Sequence, residues 1–148
     1  MSKSHIGGKR PRYSFFLNPY SDVRFTRCPR CQRLTNLRKF ALLIHTDAMG
    51  LIALGMTSRF CPKCDLIIVH RDELEPQLAT ILTLPLSGKL STQYLVIGTL
   101  PLSVWKSAMR NRLGIEVAKH LASDFKEQLI FTPSSESPWP TRTVQRLP

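Results

Sequence analysis

Two copies of one phrase, Cys28-Pro29-Arg30-Cys31 and Cys61-Pro62-Lys63-Cys64, contain every cysteine of the chain. Twenty-nine residues lie between the two pairs. Thiolates two residues apart reach one metal ion, and two such pairs complete a closed tetrahedral site. The spacing therefore predicts one structural Zn²⁺ held by Cys28, Cys31, Cys61 and Cys64. Four protein ligands leave no open position for substrate, so the metal is expected to fasten and not to catalyse. The same phrase also resembles the active motif of thiol-disulfide oxidoreductases. That motif opens a helix within a βαβ unit, and neither copy here has that context. A different metal is the remaining reading of the four thiols.

The hydropathy pattern explains the spacing. Leu37 to Thr46 alternates Phe40, Leu42 and Ile44 with Ala41, Leu43 and His45, as a strand does. Asp47-Ala48-Met49-Gly50 is a turn, with Gly supplying a positive φ. Leu51 to Phe60 returns as a second strand, and Leu66 to Val69 is a third. Two antiparallel strands of about ten residues bring both cysteine pairs to one end. Many such cysteine loops place Gly directly after the second cysteine. Here Gln32 and Asp65 stand there, and Asp accepts the left-handed conformation more readily than Gln.

The expected fold is α+β: a four-cysteine zinc ribbon of antiparallel β-structure with a small C-terminal α+β lobe. Residues 1–12 read as a flexible basic arm, 13–84 as ribbon plus helix, 85–132 as the lobe packed on the ribbon, and 133–148 as a disordered tail. An extended stretch, Val23 to Thr26, leads into the first cysteine pair. Asp72 is the expected N-cap of a helix with Glu73 and Glu75 in its first turn. Pro76 suits only the start of that helix, Leu78, Ile81 and Leu82 would face the core, and Pro85 ends it. In the lobe, Tyr94-Leu95-Val96-Ile97 is a buried strand and Ser103 caps a helix carrying Val104, Trp105 and Ala108. Ile115 to Leu121 is a second helix there, and Leu129-Ile130-Phe131 is a closing strand.

The charge of +11 is concentrated at one end of the chain. Residues 1–40 hold ten basic side chains and one acid, Asp22, a net +9, whereas residues 41–148 sum to +2. Four thiolates and one Zn²⁺ add −2, which leaves about +9 for the loaded protein. A basic face of this size suits a polyanion. The cations alternate with Tyr13, Phe15, Phe16, Tyr20 and Phe25, which either stack on unpaired bases or cover a small core. Arg10, Arg12, Arg24, Arg27, Arg30, Arg33 and Lys63 are the expected nucleic-acid contacts. RNA or a ribonucleoprotein is a better expected partner than specific DNA. The alternative is a protein-interaction module that docks on a larger complex. No activity is expected: no phosphate loop, nucleophile elbow or dinucleotide fingerprint is present.

His45-Thr46-Asp47 and His70-Arg71-Asp72 form an echo that could mark a second metal site or an active site. The plainer reading is that Asp47 opens a turn, Asp72 caps a helix and each histidine ends a strand. No apolar run approaches the roughly 18 residues of a membrane helix. No secretory signal is visible, so a reducing cytoplasm is the expected setting for free thiols.

CPRC, Arg38-Lys39-Phe40 leading to Ile44-His45-Thr46-Asp47, CPKCDLII followed by His70-Arg71-Asp72-Glu73-Leu74-Glu75, and Tyr94-Leu95-Val96-Ile97-Gly98-Thr99-Leu100 together resemble a group of small uncharacterised bacterial zinc-ribbon proteins. The resemblance spans residues 18–132. It implies zinc at the four cysteines and one unit that joins the His-x-Asp phrases and the YLVIGTL strand to the ribbon. It implies no activity. More distantly, the ribbon looks like those of ribosomal proteins and the transcription machinery.

Overall fold

The computed structural model describes residues 10–47, 49–82, 93–111, 119–133 and 140–141. Residues 1–9 of the expected arm, Pro85, residues 115–118 of the expected second helix, and most of the expected tail lie outside them. In chain order the elements are β1 (Ser14–Asn18), β2 (Asn36–Thr46), β3 (Gly50–Cys61), β4 (Leu66–His70), α1 (Arg71–Ile81) and β5 (Tyr94–Leu100). There follow α2 (Leu102–Asn111), a 3₁₀ turn (Lys119–Leu121), β6 (Ser123–Asp124), β7 (Glu127–Leu129), β8 (Thr132–Pro133) and β9 (Pro140–Thr141). The content is mixed helix and strand, as the sequence predicts.

The described residues form two compact units. One takes them from 10–12, 39–56 and 93–125, and the other from 13–38, 57–82 and 126–141. β2 and β3 have 11 and 12 residues, about twice the usual strand length, and each contributes to both units.

In the first unit β2 and β3 are neighbours, joined through residues 47–49. Gly50 has φ 72°, the positive value expected of it. The Thr46 hydroxyl accepts the Met49 N–H at 3.0 Å and donates to the Gly50 carbonyl at 3.0 Å, which closes the turn. β5 lies antiparallel to β2 from Ala41↔Leu100 to Thr46↔Tyr94, with a register shift between Leu43 and Ile44. Phe40 through Ile44 are all buried, so this strand is covered on both faces rather than one. Ala41, Leu43, Leu100 and Ala122 form a core, with Leu51, Ala53, Ile97, Val104 and Trp105 packed against it. Trp105 seats its indole on Gly55, where a Cβ would collide with the ring.

The second unit runs β3-β4-β1-β7. β4 pairs antiparallel with β3 through Arg59↔Ile68, Phe60↔Ile67 and Cys61↔Leu66. On its other edge it pairs in parallel with β1 from Ser14↔Leu66 to Asn18↔His70. All five β4 residues are buried, which suits an apolar, β-branched central strand. β7 adds in parallel to β1. Phe16 meets Phe25 and Phe131 edge-to-face, each at 5.1 Å between ring centroids. These rings, with Leu66, Ile68, Leu129, Cys28 and Cys61, make one core.

Several expectations are corrected here. Val23 to Thr26 is not a strand, because Phe25 takes φ 49° and its ring turns into the core. α1 begins at Arg71 with His70 as its cap, so Asp72 lies inside the first turn. Pro76 lies in the second turn of α1. Leu78 and Leu82 are buried as expected, but Ile81 is 38% exposed and Leu74 takes the core position. α2 starts one residue before Ser103. The closing strand β7 ends at Leu129, and Phe131 is buried beyond it. Of Ile115 to Leu121, the described residues 119–121 form a 3₁₀ turn. No element was predicted for β1, since its partner β4 lies about fifty residues away and local pattern does not report parallel pairing.

Candidate metal centre

Each cysteine pair sits in a tight loop held by backbone bonds. In the first loop the Cys28 N–H donates to the Arg33 carbonyl at 2.8 Å, and the Gln32 N–H donates to the Cys28 carbonyl at 2.9 Å. A further bond from the Thr35 N–H to the Thr26 carbonyl and a bridge between Arg27 and Leu34 close the loop as a small hairpin. The second loop is the connection between β3 and β4, closed by the pairing of Cys61 with Leu66. Gln32 and Asp65, each directly after the second cysteine, have φ 66° and 50°. This is the left-handed position that glycine usually fills.

The four sulfurs all lie within 4.8 Å of one another. Cys28 Sγ is 3.9 Å from Cys64 Sγ, and Cys31 Sγ is 3.5 Å from Cys61 Sγ. A disulfide needs about 2.05 Å, and all four thiols are free. The cluster could hold one metal ion. Cys28 and Cys61 are fully buried, whereas Cys31 and Cys64 are half-buried. The Arg30 N–H points to Cys28 Sγ at 3.4 Å, the kind of bond that supports a thiolate ligand.

Burial pushes the Cys28 thiol well up, against the opposing N–H groups of Cys31 and Arg30. Burial, with hydrogen bonding to Cys31 and the charge of Cys61, pushes Cys64 up to about 11. Burial also acts to raise Cys31, but the Arg33 N–H and the sulfurs of Cys61, Cys64 and Cys28 outweigh it and bring it down to about 7. A bound cation favours the thiolate form of every ligand.

The expected cations divide by environment. Arg27, Arg33 and Lys63 are exposed on the two loops, Arg27 donating to the Gln32 carbonyl at 3.2 Å. Arg24 is held by Asp72 in a two-pronged pair at 3.0 and 2.6 Å. Arg30 is held by Glu127 at 2.9 Å, on the oxygen that also accepts the Ser14 hydroxyl at 3.0 Å. Arg10 and Arg12 are exposed and belong to the other compact unit. Tyr13, Phe15, Phe16 and Phe25 are buried, so the core reading holds for these four rings and they offer no stacking face, whereas Tyr20 is half-buried.

Among the described residues, neither His-x-Asp phrase belongs to a group of three or more metal-ligating side chains. Among the described residues, the four cysteines are the one group of three or more ligand-type side chains within metal-binding reach. His45 is exposed in one unit and His70 is buried in the other. His70 Nδ1 lies 2.9 Å from the Asn18 amide nitrogen. That nitrogen also donates to the carbonyls of Val23 at 2.6 Å and Tyr20 at 3.2 Å, and the Asn18 oxygen accepts the Tyr20 N–H at 2.9 Å. These bonds orient the amide, so Nδ1 of a neutral His70 is the acceptor. Sequence reasoning missed this clamp and the Glu127 anchor. Their partners are 52 and 97 residues apart and carry no local signal.

Fold and site together define a mixed α and β protein with a four-cysteine cluster able to bind a metal. No protein-family model matches the chain, and no curated protein or solved structure matches it. No helix among the described residues is long and apolar enough to cross a membrane.

Proposed function

We propose that the cluster holds one structural zinc ion, and that the chain is a non-enzymatic binding module whose loop cations contact nucleic-acid phosphates. Tetrahedral Zn–S bonds of about 2.3 Å put the sulfurs about 3.8 Å apart. Two of the six separations, 3.5 and 3.9 Å, bracket that value, and all lie within 4.8 Å. With the β3–β4 connection and the neighbouring β2, the two loops support the zinc-ribbon reading and the likeness to small bacterial ribbon proteins. Thiols that bind metal must stay reduced, so a cytoplasmic setting belongs to the same proposal.

One observation carries the nucleic-acid reading. Between Val23 and Thr46 there are six cations and no acid, and Arg27 and Arg33 are exposed around the first cysteine loop. With Tyr13, Phe15, Phe16 and Phe25 buried and Tyr20 half-buried, phosphate contact rather than base stacking is the main source of affinity. Phosphate contacts position a protein without reading sequence. α1 opens with Asp72, Glu73 and Glu75 against Arg71, so it is unsuited to enter a DNA groove. Structured RNA, alone or in a ribonucleoprotein, fits best.

The test is fluorescence anisotropy with a short RNA hairpin over a salt series. Binding should fall steeply with salt. Arg33→Glu and Lys63→Glu should each weaken it and flatten the salt slope by about 1 or more. Arg24→Ala, whose charge Asp72 already meets, should change it less. Undetectable binding at low salt would remove this reading. The alternative, docking on a protein, is favoured by Leu34 and Leu37, 67% and 63% exposed beside the first loop. A pull-down that survives nuclease and high salt would support that alternative instead.

A further inference from the structure

We propose that Cys31 and Cys64 are the sites at which a hydroperoxide modifies this protein, each closing a disulfide with the buried cysteine of the opposite loop. The product is a crossed pair of bonds, Cys31–Cys61 and Cys28–Cys64. The proposal draws on the zinc reading only for what is released.

The pairing follows from exposure and distance. Reagents reach Cys31 and Cys64, which are half-buried, before Cys28 and Cys61, which are 0% exposed. Each accessible sulfur has a buried sulfur from the other loop beside it, at 3.5 Å for Cys31 with Cys61 and 3.9 Å for Cys64 with Cys28. Forming each bond of about 2.05 Å closes these gaps by about 1.5 to 2 Å. Oxidation begins at the accessible sulfurs, and a nearby resolving cysteine diverts it to a reversible product.

The chemistry balances with hydrogen peroxide as oxidant. The Cys31 sulfur attacks one peroxide oxygen, the O–O bond breaks, and the departing hydroxide takes a proton to become water. Cys31 is then a sulfenic acid. The Cys61 sulfur attacks it, the S–S bond forms, and the second hydroxide leaves and becomes water. Two thiols lose two electrons to one peroxide, and Cys64 with Cys28 repeats the sequence. Four anionic ligands are thereby lost, and any ion they hold is released.

The sequence allows a clean readout. Trypsin cuts after Arg27, Arg30, Arg33, Arg59, Lys63 and Arg71, which places the four cysteines in four separate peptides, 28–30, 31–33, 60–63 and 64–71. The three possible pairings of four cysteines then give three different sets of linked peptides. The full-length protein is assayed for metal, treated with hydrogen peroxide, alkylated, and digested without reductant. The expected result is peptide 31–33 linked to 60–63 and 28–30 linked to 64–71. The intact chain should lose about 4 Da, two hydrogens per disulfide, and dithiothreitol should reverse this. Cys31→Ser should retain only the link between 28–30 and 64–71. Links within a loop, links of Cys28 to Cys61, or sulfinic acids without disulfides would overturn the proposal. The metal assay before peroxide separates the two readings. Crossed links in a metal-free protein would sink the zinc reading alone, and metal without crossed links would sink this one alone.

Discussion

Gln32 and Asp65 hold the same left-handed backbone conformation, with φ 66° and 50°, one residue beyond the second cysteine of each loop. The conformation lets the chain turn out of the loop while its cysteine sulfurs stay together. A side chain there pays a steric cost of roughly 1–2 kcal/mol that glycine avoids. Gln32→Gly should therefore stabilise the protein by up to about 1 kcal/mol, net of the entropy glycine adds to the unfolded chain. Asp65→Gly should gain less, because Asp tolerates this region better. Denaturant midpoints of the two metal-loaded variants decide it, and a lowered midpoint for Gln32→Gly contradicts the argument.

Metal removal tests the fastening. Cys61 ends β3, pairs with Leu66, and lies 3.5 Å from Cys31. Cys61→Ser should release the ion, and its loss removes a stabilisation on the order of 10 kcal/mol. Elemental analysis should find about one zinc per wild-type chain. Hydrogen exchange after chelation should quicken first at residues 26–35 and 61–66. An unchanged exchange pattern in chelated protein would show that the metal fastens nothing.

His70 gives a pH dependence of known sign. Burial lowers its pKa from the ordinary 6.5, and Arg24 and Arg59 add to the lowering while Glu73 and Asp72 oppose it. The folded value is below the unfolded one, so this contribution is complete above pH 6.5 and is lost as pH falls through the folded value. His70→Gln removes the titrating ring and should cost about 1 kcal/mol at pH 7.5. The difference between the two proteins should shrink below pH 6.5. Parallel stability curves for both from pH 7.5 to 5 would refute the role given to His70.

Gly98 tests the edge of the first unit. A Cβ there would meet the Ser123 carbonyl and the Asp124 Cα of the paired strand β6. Backbone atoms cannot rotate aside as side chains do. Gly98→Ala should cost about 1–3 kcal/mol, read as a lower thermal midpoint. An unchanged midpoint would mean that β6 yields freely.

Much of the site was legible from sequence because its geometry is local. Two residues between cysteines set the reach of each pair, and the turn at 47–50 and the strands on either side appear where the hydropathy pattern puts them. The left-handed positions at Gln32 and Asp65 follow from the same local requirement. β1 was not legible, since Phe15-Phe16-Leu17 looks like any short apolar run until β4 pairs beside it. The helix start was misplaced for a related reason. Asp72 has the chemistry of a cap, but Arg24 takes its carboxylate in a bidentate pair.

By itself the sequence determined which atoms could bind a metal, the strands that carry them, and the basic character of the segment around the first loop. Tertiary structure alone decided which charges are already met. Arg24 and Arg30 look identical to Arg33 in the chain, yet Asp72 and Glu127 reach the first two across 48 and 97 residues. It also decided that Tyr13, Phe15, Phe16 and Phe25 face a core and that His70 is a buried hydrogen-bond acceptor. The physical reason is range. Covalent geometry sets a contact between neighbours in sequence, whereas burial and charge pairing depend on which distant strand arrives alongside.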